Sequence, residues 1–292
     1  MSKSRFNEGQ NIPRKSKFKA VVLWVLFLTT LCSIDSLAQG NLLITPRRVV
    51  FDGSRRVMEL NLANTGIDTA KYNVSIIQYR MNDDGSFVEI TSPDPGQNFA
   101  DKNLRFFPRS VTLAPNEAQV VKMQVINSDK LAPGEYRSHV YFRSVPKEVA
   151  LGEEETKRDS GAVSVKLVPI FGITIPVIIR VGQNTAKVTI TDLKMEMVND
   201  TTNRIHLTFN RTGNMSVYGD IKVLYVNASG KETIVGTVNG IAVYTPNSLR
   251  RFYVDLDKKA GVNYKTGKLK ITFSAQSDTK PEKYAEAELK LQ

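Results

Sequence analysis

Cysteine, histidine and tryptophan are almost missing from this sequence: its 292 residues hold one Cys, one Trp and two His. A zinc module of Cys and His ligands would need nearly all of those side chains, and they stand far apart along the chain, so a structural zinc site is excluded. The sequence also lacks a G-x-S-x-G elbow, a G-x-x-x-x-G-K-[ST] loop and an H-E-x-x-H pair. His139 alternates with Arg137 and Tyr141 in a strand-like run, and His206 opens the run Leu207-Thr208-Phe209. A lone histidine in such a place is structural far more often than it is a base. Nothing here implies an enzyme, a cofactor or a metal. No long stretch carries a 3.6-residue period, which excludes folds built on helices.

What is present begins with an export signal. The basic run Arg14-Lys15-Ser16-Lys17-Phe18-Lys19 leads into the apolar Ala20 to Leu28, and the small residues Ser36 and Ala38 close the segment. These are the parts of a secretory signal peptide, with cleavage expected after Ala38. Its apolar core falls short of the roughly 20 residues that a membrane span needs, so no transmembrane segment is expected in the mature chain. Cys32 follows Leu31 where a lipobox requires a small residue, and is read as part of the discarded segment. The remaining 254 residues carry 34 basic against 27 acidic side chains, a net of +7, with no Cys and no Trp. An exported protein without cysteine has no disulfides to hold it, so its stability has to come from its hydrophobic cores. The positive charge is spread along the chain without an arginine-rich arm, which gives no support to nucleic-acid binding.

After residue 40 nearly every patterned segment has period two. Val57 to Leu62, Tyr72 to Tyr79, Gln119 to Val125 and Tyr136 to Phe142 are short β-rich runs divided by Gly, Pro, Asn and Asp clusters. The charged stretch from Lys147 to Ser160 reads as a solvated hairpin loop. The apolar stretch from Val163 to Ile179 contains Pro169 and Pro176, so it should bend or lie partly on a sheet edge. The pattern pauses at Arg180 to Asn184 and restarts, with strand-like runs at Lys187 to Met195, Arg204 to Asn210, Gly219 to Val226, Glu232 to Val238, Leu249 to Leu256, Lys268 to Ala275 and Tyr284 to Leu291. Two tandem β-sandwiches are expected: a signal peptide over 1–38, a first immunoglobulin-like domain over 39–181 and a second sandwich over 182–292. The Asn-x-Ser/Thr matches at Asn73, Asn199, Asn210, Asn214 and Asn227 read as turn and strand-end residues.

Three clusters in the first half carry more specific information. They are Arg48-Val49-Val50-Phe51-Asp52-Gly53, then Leu113-Ala114-Pro115-Asn116-Glu117-Ala118-Gln119, then Gly134-Glu135-Tyr136-Arg137-Ser138-His139. In that order and spacing, over about residues 41–181, the chain resembles the periplasmic pilus (fimbrial) assembly chaperones, the PapD-like family. The resemblance implies a non-enzymatic periplasmic protein of two immunoglobulin-like domains that needs no ATP. Such a protein stabilises an exported β-rich subunit by lending it a strand, with an outer-membrane usher as a further partner. It implies Arg48 as the anchor for the subunit's C-terminal carboxylate. It also implies a lysine near position 176, where this chain has Pro176; no Lys lies between Lys166 and Lys187. Arg180, of the same parity along the strand, is the candidate second anchor. The donor strand would present Val165, Leu167, Phe171 and Ile173. The alternative is a structural or adhesive envelope scaffold of the same two sandwiches that donates no strand.

Overall fold

Side chains that alternate between a dry and a wet face build two sandwiches in the computed structural model, whose described residues are 42–146, 170–276 and 282–291. The first contains, in chain order, β1 (Leu42–Thr45), β2 (Val49–Phe51), β3 (Val57–Asn64), β4 (Ala70–Ile77), β5 (Tyr79–Met81), β6 (Phe87–Glu89), β7 (Leu104–Phe107), β8 (Ser110–Leu113), β9 (Ala118–Val125), β10 (Gly134–Val145) and β11 (Gly172–Val181). One sheet has the order β1-β3-β9-β7 and the facing sheet β2-β11-β10-β4-β8, while β5 and β6 form a separate hairpin. The chain therefore changes sheets between β1 and β2, through Pro46, Arg47 and Arg48. In β9 the alternation is plain: Val121, Met123 and Val125 are buried and Lys122 and Gln124 are exposed. Each such buried side chain contributes about 1.5–3 kcal/mol.

The second sandwich contains β12 (Lys187–Val198), β13 (Thr202–Thr212), β14 (Val217–Val226), β15 (Glu232–Val243), β16 (Leu249–Leu256), β17 (Lys268–Ala275) and β18 (Lys283–Lys290). Its sheets are β12-β13-β16 and β15-β14-β17-β18. Phe209 from one sheet meets Phe273 from the other with ring centroids 4.8 Å apart, at the centre of a core that also buries Ile205, Val223 and Ile271 completely. The expected alternation on β17 holds, with Leu269, Ile271 and Phe273 at 0% exposure. The fold is all-β, as two immunoglobulin-like sandwiches. Among the described residues no helix is long and apolar enough to cross a membrane.

Two features of β11 position the candidate site. Ile173, Ile175, Val177, Ile179 and Val181 pack into the first core. The opposite face turns to the second sandwich, where Ile178 is fully buried with Met81, Ala242 and Tyr244. Along its outer edge β11 pairs in parallel with β2, but only from Val177 to Ile179. From Gly172 to Pro176 that edge has no strand beside it among the described residues, and Pro176 is tolerated on such an edge. The charged stretch from Lys147 to Ser160, the positions of Val165 and Leu167, and the signal segment lie outside the described residues.

Candidate functional site

Because Val49 and Phe51 enter the first core, Arg48 and Val50 leave β2 on the other side, toward the second sandwich. The Arg48 guanidinium lies 4.3 Å above the ring of Tyr218 on β14, and 5.7 Å from the ring of Tyr244, just past β15. Stacking of this kind is worth about 0.5–2 kcal/mol and holds the guanidinium in a fixed plane. It does not neutralise the charge, and the buried Nη1 of Arg48 has no hydrogen-bond partner. Burial holds the pKa of Arg48 below the ordinary arginine value, with Tyr244 opposing that effect and Arg180 adding to it. The site thus contains a largely buried cation without a paired anion, an expensive arrangement unless a ligand completes it.

Arg180 stands near Arg48 but is already engaged. Its Nε donates to Glu135 Oε2 at 3.2 Å and its Nη2 donates to the carbonyl of Ser216 at 2.8 Å. The Glu135 side chain is fully buried, and Oε2 also accepts from the Ser216 backbone N–H at 3.0 Å and hydroxyl at 2.6 Å. Glu135 and Arg180 are direct cross-strand neighbours on β10 and β11, so register places the pair, while Ser216 belongs to the second sandwich. Beside them Arg137 is buried over the Tyr244 ring at 4.1 Å, 4.0 Å from Glu135 Oε1, and none of its three guanidinium nitrogens has a hydrogen-bond partner.

Two cavities meet at Arg48. One of about 430 Å³ is lined by Arg180, Ser216, Tyr218, Glu282 and Tyr284 as well as Arg48. The other, of about 640 Å³, is lined by Arg47, Arg48, Met58, Tyr218, Asn239 and Gln276 among others. Pro176 pairs with His139 and precedes Val177, the residue opposite Val49, so the register brings it beside Arg48 with no cation to offer. Of the sequence-derived donor-strand residues, Phe171 is 39% exposed and Ile173 is half-buried against the first core. Among the described residues no group of three or more His, Cys, Asp or Glu side chains is placed to hold a metal.

The sequence reading brought Arg48 and Arg180 into one site but missed the residues that define their states: Tyr218, Tyr244, Glu135 and Ser216. Parity along β10 puts Glu135, Arg137 and His139 on one face. A run of polar residues on one face reads as solvent-facing, and only the fold shows a second sandwich covering it.

No protein-family model matches the chain, and no curated protein matches it in sequence. Among solved structures it is similar to the YadV chaperone, at 14% identity over 86% of this chain and 100% of that chain, with a TM-score of 0.43. It is also similar to the E. coli chaperone DraB, at 14% identity over 86% and 96% of the two chains, with a TM-score of 0.42. A third is the CsuC–CsuE chaperone–tip adhesion subunit pre-assembly complex from Acinetobacter baumannii, at 12% identity over 85% and 98%, with a TM-score of 0.42.

Proposed function

We propose that this protein is a periplasmic chaperone that binds an exported β-rich subunit along the free edge of β11 and anchors its C-terminal carboxylate at Arg48. The observation that carries this reading is Arg48 itself: a stacked, largely buried guanidinium without a paired anion, located where β2 takes over the edge of β11. A client strand added beside Gly172 to Pro176 would abut the start of β2. With its carboxylate at Arg48, that strand runs parallel to β11, in the direction of β2. Main-chain hydrogen bonds to the exposed edge supply affinity, and Phe171 and the residues before it supply apolar side chains for the client's unfinished core. No part of this needs a nucleotide or a metal.

The test is expression in the periplasm of a Gram-negative host together with a candidate pilus-type subunit, followed by purification. The wild type should emerge as a one-to-one complex. Arg48→Ala, which removes a charge-assisted contact worth about 1.5–3 kcal/mol, should lower recovery of the complex by about tenfold or more. A folded Arg48→Ala protein that keeps its client undiminished sinks the anchoring reading.

A further inference from the structure

The anchor described above has one cation where a carboxylate is best held by two, and Pro176 closes the position from which a lysine would reach it. The two cavities that meet at Arg48 differ in charge. The smaller one is lined by Glu282, and its other arginine, Arg180, already faces the carboxylate of Glu135. Among the described residues the larger one is lined by two arginines, Arg47 and Arg48, and by no acid. Arg47 is exposed and forms no ion pair with any described residue. Asp220 does not line this cavity, and its Oδ1 is occupied by the Gly240 N–H at 2.8 Å and the Gln276 amide at 2.8 Å, both of which belong to the cavity wall. Met58 and Val50 add an apolar surface on which a terminal side chain can rest.

We infer that Arg47 is the second cation of the anchor, and that a client's C-terminal carboxylate binds in the larger cavity between Arg47 and Arg48 rather than on the Arg180 side. The inference rests on the reading of Arg48 as a carboxylate anchor. It replaces the missing lysine on β11 with a residue at the turn where the chain changes sheets. Two guanidiniums meeting one carboxylate give short charge-assisted hydrogen bonds from both sides. Arg47 keeps part of its hydration, so its contribution is smaller than that of the buried Arg48.

The experiment compares two probes by calorimetry: an N-acetylated peptide of alternating Val and Thr residues with a free C-terminal carboxylate, and the same peptide ending in an amide. The free acid should bind wild type about tenfold tighter than the amide. Arg47→Ala should reduce that ratio about threefold to fivefold with an unchanged thermal midpoint, Arg47→Lys should restore most of it, and Arg48→Ala should abolish it. If Arg47→Ala leaves the acid-to-amide ratio intact while Arg48→Ala removes it, the assignment of Arg47 is wrong and the anchor reading stands. If the wild type does not bind the acid, or does not distinguish acid from amide, the anchor reading fails and the assignment fails with it.

Discussion

His139 shows what burial does to an ionisable side chain that has lost water and gained no partner. It is 4% exposed on β10, between the rings of Tyr79 and Phe87 at 5.0 and 5.9 Å, and its Nδ1 has no hydrogen-bond partner. Burial first and the neighbouring Arg137 second push its pKa down to about 3. The folded pKa lies below the unfolded value of 6.5, so on acidification the unfolded chain takes up the proton first. The stability tied to His139 is complete above pH 6.5 and falls as the pH drops toward 3, by up to about 1.4 kcal/mol per pH unit. Carboxylates held below their usual range, such as Asp52 by Ser54 and Asp94 by Arg80, lose their contribution only below about pH 4.5. Urea midpoints measured between pH 6.5 and 4.5 should therefore decline in wild type and stay nearly level in His139→Leu. Equal slopes in the two proteins would contradict this account. The sequence places His139, Arg137 and Tyr141 on one face correctly, because strand parity is a local property. Burial of that face depends on a second sandwich contributed by residues far along the chain, which no local pattern encodes.

Strand β11 illustrates the same boundary between local and distant information. Its apolar alternation, like that of β9 and β17, is legible because each half-buried strand must repeat every two residues whatever surrounds it. Its partial edge exposure was also legible from Pro176, which cannot donate to a ladder. The role of Arg180 was not: same-strand parity makes it a neighbour of position 176, but register with Glu135 on β10 decides that it is paired. Gly172 belongs to this strand for a packing reason, since a Cβ there would lie 2.1 Å from Cε2 of Tyr141, whose ring crosses β11 at that point. Phe171, just ahead of the strand and 39% exposed, is absent from the first core. Phe171→Asp should therefore change folding stability by no more than about 0.5 kcal/mol, as surface substitutions do. In the proposed role it should still reduce recovery of the client several-fold in co-expression. A variant that is equally stable and retains its client in full would remove Phe171 from the donated strand.

At the scale of the whole molecule, the contacts between the sandwiches are part of the fold and owe nothing to a client. Glu135 and Arg180 hold Ser216 on one side, while on another the Asn247 amide donates to the Met81 carbonyl at 2.7 Å and the Arg251 N–H donates to the Asp83 carbonyl at 2.6 Å. The apolar cluster of Met81, Ile178, Ala242 and Tyr244 lies in the same interface. The connecting segment is tied down as well, since Asn214 accepts from the Thr185 N–H at 2.9 Å and donates to the Gln183 carbonyl at 2.9 Å. An interface that is buried, hydrogen-bonded and partly apolar couples the two cores, so the wild type should unfold in a single calorimetric transition. Glu135 is where this coupling is most exposed to mutation. Its loss removes the acceptor for Ser216 and leaves Arg137 buried without an anion, a defect that costs about 3–5 kcal/mol when one member of a buried pair is deleted. Glu135→Ala should lower the first melting midpoint and split the trace into two transitions. Ser216→Ala, which deletes one hydroxyl bond, should cost only about 1 kcal/mol and keep the single transition. Because Arg48 of the first sandwich stacks on Tyr218 of the second, Glu135→Ala should also weaken carboxylate binding although Glu135 lines neither cavity. An unsplit transition at the wild-type midpoint would show that the apolar cluster and the Asn247 and Arg251 hydrogen bonds hold the sandwiches without Glu135, and that the position of Arg48 does not depend on the ion pair.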